Sequence, residues 1–346
     1  MRRVREEDRG ASMVFIAILL VALIGFAGLA VDAGALYAER TELQKGAEAA
    51  VLAIAEDCGH GSKPCDFPTA SATAEDYIDD NATDLAGAVD SLDLNTAAQT
   101  VTVVDRTERT DGGGVFLPFF AQVIGFNGAT VRAQASAAWG APSSMATLPI
   151  IISECEWLKY GGDPTTWPDH PDGFPPQAAS WPSEPIVFTF HDGQATEDCN
   201  AQAGHDADGD GRLPGGFGWI DTGGSDCEAD THDDDIVDED PGSSPSNGCD
   251  PDFMTGLVGT VVFVPWFVDI NGLGGANGEY QVGGYSPFYV TGMNFAGQYK
   301  ERSLFDGDYP CQGDDRCIEG YFVTATATDG DLGGEYRGVL VVKLTG

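Results

Sequence analysis

The sequence predicts an α+β protein in three parts. An N-terminal transmembrane helix continues into a mixed α/β stalk module, and a disulfide-stapled, mostly antiparallel, sandwich-like β domain follows. Three observations predict this architecture. They are a run without charges at 13–31, apolar and small residues at helical spacing after it, and short β-branched and aromatic runs between prolines and glycines beyond residue 140. The predicted divisions are a cytoplasmic leader 1–12, the transmembrane helix 13–31, the stalk module 32–139 and an extracytoplasmic acidic β-rich domain 140–346.

The composition restricts the partners and the compartment. Seventeen Lys and Arg against 55 Asp and Glu give a net charge of −38, so nucleic acid and anionic lipid headgroups are repelled and no nucleic-acid partner is expected. A hydrophobic content of 42% is enough for a core. Eight cysteines in an acidic chain indicate disulfides formed outside the cytosol.

The apolar run at 13–31 is long enough to cross a hydrocarbon core of about 30 Å at about 1.5 Å per helical residue. The short leader carries more positive charge than the stretch after the run, which places the N-terminus in the cytoplasm and the rest of the chain outside. The arginines of the leader are Arg2, Arg3, Arg5 and Arg9.

A cleaved signal peptide is the alternative, because Gly28-Leu29-Ala30 is a small-x-small site that would release the body from Val31 onward. Two features oppose it: the apolar run is longer than a typical signal-peptide core of roughly 7 to 15 residues, and the leader is acidic at Glu6, Glu7 and Asp8.

The helix is predicted to continue beyond the membrane. An apolar stripe recurs at helical spacing at Leu36, Leu43, Ala47, Ala50 and Ile54. Small residues would let another helix approach closely, or would pack on the helix's own domain, and the sequence leaves both open. These residues are Ala30, Gly34, Ala38, Gly46, Ala50 and Ala53.

The run 9–55 resembles the N-terminal segment of the TadE/TadG-like proteins of tight-adherence (Flp) pilus assembly. The matching pieces are Arg9-Gly10, Gly28-Leu29-Ala30-Val31-Asp32, Tyr37, Arg40, Leu43-Gln44 and the alanine run that follows. A strand at 101–104, a short apolar helix at 116–125 and a strand at 131–139 are similar to the rest of that module. The stretches 149–157 and 214–221 resemble a carboxy-terminal region of actinobacterial members.

The resemblance implies a non-catalytic, membrane-anchored structural protein of pilus assembly or surface adhesion, whose N-terminal helix contacts other pilus-assembly or envelope proteins. Prepilin-type processing requires glutamate five residues after a glycine, but Phe15 stands five residues after Gly10. The resemblance therefore implies an uncut anchor, as in TadG rather than TadE. The Asp-x-Ser-x-Ser run of a von Willebrand A domain is not found in the sequence.

Further elements are predicted from local patterns. A second helix is expected near 70–81, and β strands are expected at 186–190, 258–264, 288–290, 322–328 and 338–344. The acidic excursion 192–251 has little to bury and requires staples to become ordered. Short spacings predict the pairs Cys58–Cys65 and Cys311–Cys317, whereas Cys155, Cys199, Cys227 and Cys249 allow three pairings that remain open.

One candidate metal site stands out, at Asp206, Asp208 and Asp210. With Gly211 these residues repeat the start of a calcium loop, but Phe217 replaces the twelfth-position glutamate and excludes a full EF-hand. A smaller calcium loop completed by Asp221 and a solvated acidic turn both remain open. No cofactor is required for the predicted structural role.

No catalytic motif is found in the sequence, so no catalytic residue is predicted. Large aromatic residues in the β domain are expected in its core rather than along a glycan groove; they are Trp157, Trp181, Trp219, Trp266 and Phe267. The alternative function is a secreted, calcium-stabilised binding module, for example for glycans, released by signal-peptide cleavage.

Overall fold

The computed structural model describes residues 4–83, 87–160, 162–167, 184–190, 199–200, 212–213, 215–224, 226–271 and 278–345. The chain forms two compact units. The first comprises Met1–Ala138 with Lys343–Gly346, and the second comprises Trp139–Val342.

The first unit combines two helices with an antiparallel sheet. Its elements are α1 (Val4–His60), α2 (Phe67–Asn81), β1 (Gly87–Asn95), β2 (Thr100–Thr107), a 3-10 turn (Ala121–Ile124) and most of β3 (Arg132–Gly140). Strand β2 pairs antiparallel with both β1 and β3. The Asp66 side chain caps α2 by accepting the Thr69 backbone N–H, which satisfies one of the amides left free at a helix start.

The core of the first unit follows from the periodicity of its elements. Alternate residues of β2 are buried because successive strand side chains point to opposite faces. Apolar positions of both helices are buried against that face. The buried apolar residues are Leu43, Ala47, Ala50, Val51, Ile54, Ala55, Ala70, Ala74, Ile78, Val101, Val103, Ala133, Ala135 and Ala137.

The second unit is mainly β structure. Its helical elements are α3 (Glu154–Lys159), a 3-10 turn (Pro164–Thr166) and α4 (Pro251–Gly256). Its strands are β4 (Pro142–Thr147), β5 (Ile150–Ser153), β6 (Ile186–Thr189), β7 (Cys199–Asn200), β8 (Arg212–Leu213), β9 (Phe217–Trp219), β10 (Ala229–His232), β11 (Ile236–Asp238), β12 (Val261–Asn271), β13 (Glu279–Asn294), β14 (Lys300–Glu301), β15 (Cys317–Phe322), β16 (Ala325–Ala327), β17 (Asp331–Leu332) and β18 (Val339–Leu344).

Two sheets of the second unit pack face to face. The larger has the order β6-β15-β13-β12-β5-β9, with β11 and β14 also paired to β13; the smaller has the order β10-β4-β17. Met145 and Ala229 of the smaller sheet share a buried apolar cluster with Phe267, Tyr280 and Val282 of the larger one. The pairings are mostly antiparallel, with parallel exceptions at β5–β12 and β16–β18. The predicted α+β class is therefore confirmed.

Disulfides close local loops. The predicted pairs Cys58–Cys65 and Cys311–Cys317 are both formed. Cys227 pairs with Cys249 and encloses β10 and β11, so this part of the acidic excursion is held as ordered strands. Cys155 is also disulfide-bonded.

Three predicted elements differ from the structure. The strand expected at 322–328 is divided between β15, which ends at Phe322, and β16 (Ala325–Ala327). The stretch 116–125 was expected to be a helix, but it is helical only in the 3-10 turn at Ala121–Ile124. Pro118 lacks the N–H that a helix interior requires, and Gly125 adopts a left-handed φ of 89° that ends the turn. The strand expected at 288–290 is the centre of the much longer β13, whose first half contains glycine and serine rather than continuous apolar residues.

Candidate functional site

The candidate site is α1 together with the segment that packs beside its membrane-proximal part. Among the described residues, one helix, α1 from Met13 onward, is long and apolar enough to cross a membrane, and only 6% of its most apolar stretch is buried. A core helix of a soluble domain would be mostly buried, whereas this helix is exposed, which is compatible with a single membrane span.

Beyond the span, α1 is a structural part of the first unit. Leu43, Ala47, Ala50 and Ile54 are at most 5% exposed, which confirms that the stripe continues as one helix into the domain. Leu36 is the exception, because its side chain is 42% exposed and lies before the part of α1 that packs on α2 and β2.

The small residues of α1 divide into two groups. Gly46 packs on α2 so closely that a Cβ at this position would lie 3.3 Å from the Cα atom of Ile78. Ala50 is likewise buried within the first unit. A Cβ added at Gly34 would meet no neighbouring atom within 4 Å, and Ala30 and Ala38 are exposed. Packing on the helix's own domain therefore explains Gly46 and Ala50 but not the exposed group.

Asp32, directly after the span, holds a distant segment of the chain. Its Oδ1 accepts the backbone N–H groups of Phe119 at 2.7 Å and Phe120 at 3.1 Å. Its Oδ2 accepts those of Phe120 at 2.9 Å and Ala121 at 2.6 Å. Asp32 is 7% exposed, so the buried carboxylate is compensated by charge-assisted hydrogen bonds at the start of the 3-10 turn.

Residues 116–126, which we call the apolar loop, lie along the C-terminal part of the apolar run of α1. A Cβ on Gly28 would lie 2.8 Å from Cγ of Phe120, so only glycine admits this approach. A cavity of about 390 Å³ separates the helix from the loop. Its lining residues are Ala22, Ile24, Gly25, Phe26, Gly28 and Leu29 of α1 with Phe120, Val123 and Ile124 of the loop.

A buried carboxyl group lies farther along the helix. Asp105 on β2 is fully buried, and its Oδ2 has no hydrogen-bond partner among the described residues, while Oδ1 accepts the Ala133 N–H at 3.2 Å. Burial raises the pKa of Asp105 to about 7; the Ala133 hydrogen bond opposes this increase, and the negative charge of Glu39 adds to it. Asp105 is thus a titrating group inside the core of the first unit.

Two sets of buried polar groups in the second unit are engaged in packing. The Arg337 guanidinium lies 3.5 Å from the ring centre of Trp266 and 4.6 Å from that of Trp157, with Glu154 at 3.7 Å. Elsewhere the buried carboxylate of Glu319 accepts the hydroxyl groups of Thr291 and Ser303. Both arrangements are typical of structural contacts in a core.

The predicted aromatic core is confirmed for the described residues. Trp157, Trp219, Trp266 and Phe267 are at most 7% exposed, so these side chains do not form a surface groove. Trp181 lies outside the described residues.

The predicted metal residues Asp206, Asp208 and Asp210 also lie outside the described residues. Within the part of the chain that is described, no group of three His, Cys, Asp or Glu side chains is arranged to hold a metal ion. Asp221, the suggested fourth ligand, accepts the Gly223 N–H in an exposed turn. The calcium loop stays a prediction.

The role of Asp32 was missed by sequence reasoning, although this residue belongs to the conspicuous run that ends the span. The available signal was an acid at the membrane boundary, where a carboxylate requires hydrogen-bond donors if it is buried. Its partners lie almost ninety residues later, and no periodicity in the sequence connects them.

Comparison with known proteins gives one match. Residues 10–56 match the family model described as putative Flp pilus-assembly TadE/G-like. The match lies within α1 and confirms the resemblance based on residues 9–55; the actinobacterial detail stays a prediction. No curated protein and no solved structure matches the chain.

Proposed function

We propose that this chain is a non-catalytic, membrane-anchored, extracytoplasmic structural protein that acts in Flp/Tad-type pilus assembly or in cell-surface adhesion. The observation that carries the proposal is the family match over 10–56, which covers both the exposed apolar run and the buried stripe of α1. The matched segment thus includes the part of the helix that joins a membrane to a folded unit.

The continuity of α1 supports the anchoring role. The helix has 57 residues and extends over roughly 85 Å at about 1.5 Å per residue. Its large apolar side chains from Met13 to Val31 are exposed, and its second half packs on α2 and β2. A continuous helix fixes the first unit at a set distance from the membrane, which suits a protein that positions other components.

The orientation is proposed from charge. Arg2, Arg3, Arg5 and Arg9 precede the span, so the positive-inside rule puts the N-terminus in the cytoplasm and both folded units outside the cell membrane. The disulfides agree with an oxidising exterior.

Retention of the anchor has support in the packing. Gly28 and Asp32 both hold the apolar loop. Cleavage after Ala30 would remove Gly28 from its contact with Phe120 and would leave Asp32 next to a new chain end. Phe15 in place of the glutamate of prepilin-type signals argues against cleavage after Gly10. We therefore favour an uncut helix that contacts other pilus-assembly or envelope proteins.

We propose that the protein is not an enzyme because the matched pilus-assembly family has a structural role. The buried polar groups described in the second unit, around Arg337 and Glu319, are engaged with neighbouring side chains. Such groups stabilise a core rather than face a substrate.

Deletion of the gene in its host tests the proposal. We expect fewer surface pili by electron microscopy and weaker surface attachment, both restored by the full chain. A chain in which residues 1–31 are replaced by a cleavable signal peptide should be secreted and fail to restore them. A chain carrying Asp93→Asn, a change at an exposed position of β1, is the matched control and should restore both.

Normal pili and normal attachment in the deletion strain would contradict the proposal. Restoration by the secreted chain would instead favour the alternative of a released binding module.

A further inference from the structure

The apolar loop exposes large apolar side chains that no described residue of the first unit covers. Phe119 is 84% exposed, Val123 is 86% exposed and Ile124 is 75% exposed. No charged residue occurs between Asp111 and Arg132, in a chain of which 21% is charged. A contiguous exposed apolar surface of this kind indicates a contact with a partner or a membrane.

The position of the loop along α1 identifies its surroundings. The cavity beneath the loop is lined by α1 residues from Ala22 to Leu29, all inside the apolar run. Ala22 lies roughly 14 Å inward from Val31, at about 1.5 Å per residue, which is close to half the thickness of a hydrocarbon core. If α1 crosses the membrane, the loop lies at the depth of the outer leaflet.

The backbone of the loop is suited to that depth. Irregular backbone is tolerated among acyl chains only where its polar groups have partners within the protein. Asp32 accepts three consecutive N–H groups, the Phe116 and Ala129 backbones bond each other in both directions, and the Gln122 side-chain amide donates to the Pro118 carbonyl. Further internal bonds join Val123 to Phe120, Gly125 to Gln122 and Phe126 to Ala121.

We propose that the apolar loop is a second membrane contact, which inserts Phe119, Val123 and Ile124 among the acyl chains of the outer leaflet beside α1. The inference rests on the membrane anchoring proposed above. It extends that proposal because a helix alone is free to rotate about its axis, whereas a helix with a laterally attached, inserted loop has one preferred rotation.

The exposed apolar surface of the loop continues onto α1, which favours lipid over a partner helix. The exposed face of the loop adjoins exposed span residues such as Phe26 and Ile24, which are 71% and 61% exposed and also require apolar surroundings. The Asp32 carboxylate lies at the boundary and is covered by its three amides, so no charge is presented to the leaflet from this residue.

Photocrosslinking of the full chain in lipid nanodiscs tests the inference. The photoreactive analogue p-benzoylphenylalanine is placed at Phe119 and, in a second variant, at Val123. Phe15, within the span and 69% exposed, is the positive control. Phe67 is the matched negative control, because it is 57% exposed but distant from the proposed membrane. It lies two residues after Cys65, which is disulfide-bonded to Cys58. Cys58 lies roughly 39 Å beyond Asp32 along α1, at about 1.5 Å per residue.

We expect the mass increase of one phospholipid at positions 119 and 123 with a yield within about threefold of position 15, and less than about a tenth of it at position 67. A lipid adduct at position 15 without one at 119 and 123 would overturn the loop insertion alone. Absence of the lipid adduct at position 15 would overturn the membrane anchor and, with it, the loop insertion. In native membranes, a protein adduct at 119 in place of the lipid adduct would overturn the lipid assignment in favour of a partner helix.

Discussion

The carboxylate of Asp32 accepts a 2.6 Å hydrogen bond from the backbone N–H of Ala121, a residue 89 positions later in the chain. This contact joins the C-terminal end of the apolar run of α1 to the start of a 3-10 turn in the connection between β2 and β3. The same carboxylate accepts two preceding amides, so a single side chain orders the apolar loop against α1. The membrane-proximal part of the first unit therefore depends on a local electrostatic contact as well as on apolar packing.

Asp32→Ala should release the apolar loop. The substitution leaves three amides without their acceptor, and an unsatisfied buried donor costs about 1–3 kcal/mol. We expect amide hydrogen exchange at Phe119–Ala121 to accelerate by about tenfold or more. Asp93→Ala, at an exposed position of β1, should leave these rates unchanged; unchanged rates in the Asp32 variant would show that the carboxylate does not hold the loop.

Gly28→Val should displace Phe120 while leaving Asp32 in place. A Cβ at residue 28 would lie 2.8 Å from Phe120 Cγ, whereas a Cβ at Gly25 would meet nothing within 4 Å. We expect faster exchange across the apolar loop in the Gly28 variant and no change in Gly25→Val. Overpacking of this kind typically costs about 1–3 kcal/mol. Equal behaviour of the two variants would contradict the close approach of helix and loop.

Asp105→Asn should alter the pH dependence of the first unit. Burial raises the folded-state pKa of Asp105 to about 7 from an ordinary value of 3.8, so the folded state holds a proton that the unfolded state has released between these values. Stability contributed by this group is therefore present at about pH 4 and is lost as the pH rises through about 7.

The asparagine variant removes that titration and retains an acceptor for the Ala133 N–H. We expect its melting temperature to exceed that of the wild type at about pH 8 and to approach it at about pH 4. Melting curves over this range check the prediction, with Asp93→Asn as the exposed control. A parallel pH dependence in wild type and Asp105→Asn would refute it.

If the predicted calcium loop binds calcium, the binding should produce a measurable heat. Alternate carboxylates at Asp206, Asp208 and Asp210 supply oxygen ligands of the kind that calcium prefers. Isothermal titration of the full chain with calcium chloride should give a saturable heat that Asp208→Asn weakens. Asp93→Asn should leave the heat unchanged, and no heat at about millimolar calcium would exclude the site.

Much of the first unit is predictable from local patterns. The charge-free run, the stripe from Leu43 to Ile54 and the alternation around Val101 depend on helix and strand periodicity, which is written in neighbouring residues. The same pattern includes Leu36, but its side chain is exposed. Periodicity shows which face of a helix is apolar, but it does not show where the elements that cover that face begin.

The missed features are those made by long-range contacts. Asp32 meets its amides only after β1 and β2 return the chain to α1, and Gly28 is recognisable as a contact glycine only once Phe120 is beside it. In the second unit, the pairing Cys227–Cys249 was one of three alternatives, since cysteine spacing cannot distinguish bridges that close over intervening strands.

The intact mass and N-terminal sequence of the chain recovered from the membrane fraction test the central claim most directly. We expect the membrane-bound protein to retain residues 1–10 and the whole of α1, with little protein in the medium. A chain beginning at Ala11 would show prepilin-type processing despite Phe15. A chain beginning at Val31 and recovered from the medium would contradict the membrane anchor, and with it the proposed role in pilus assembly.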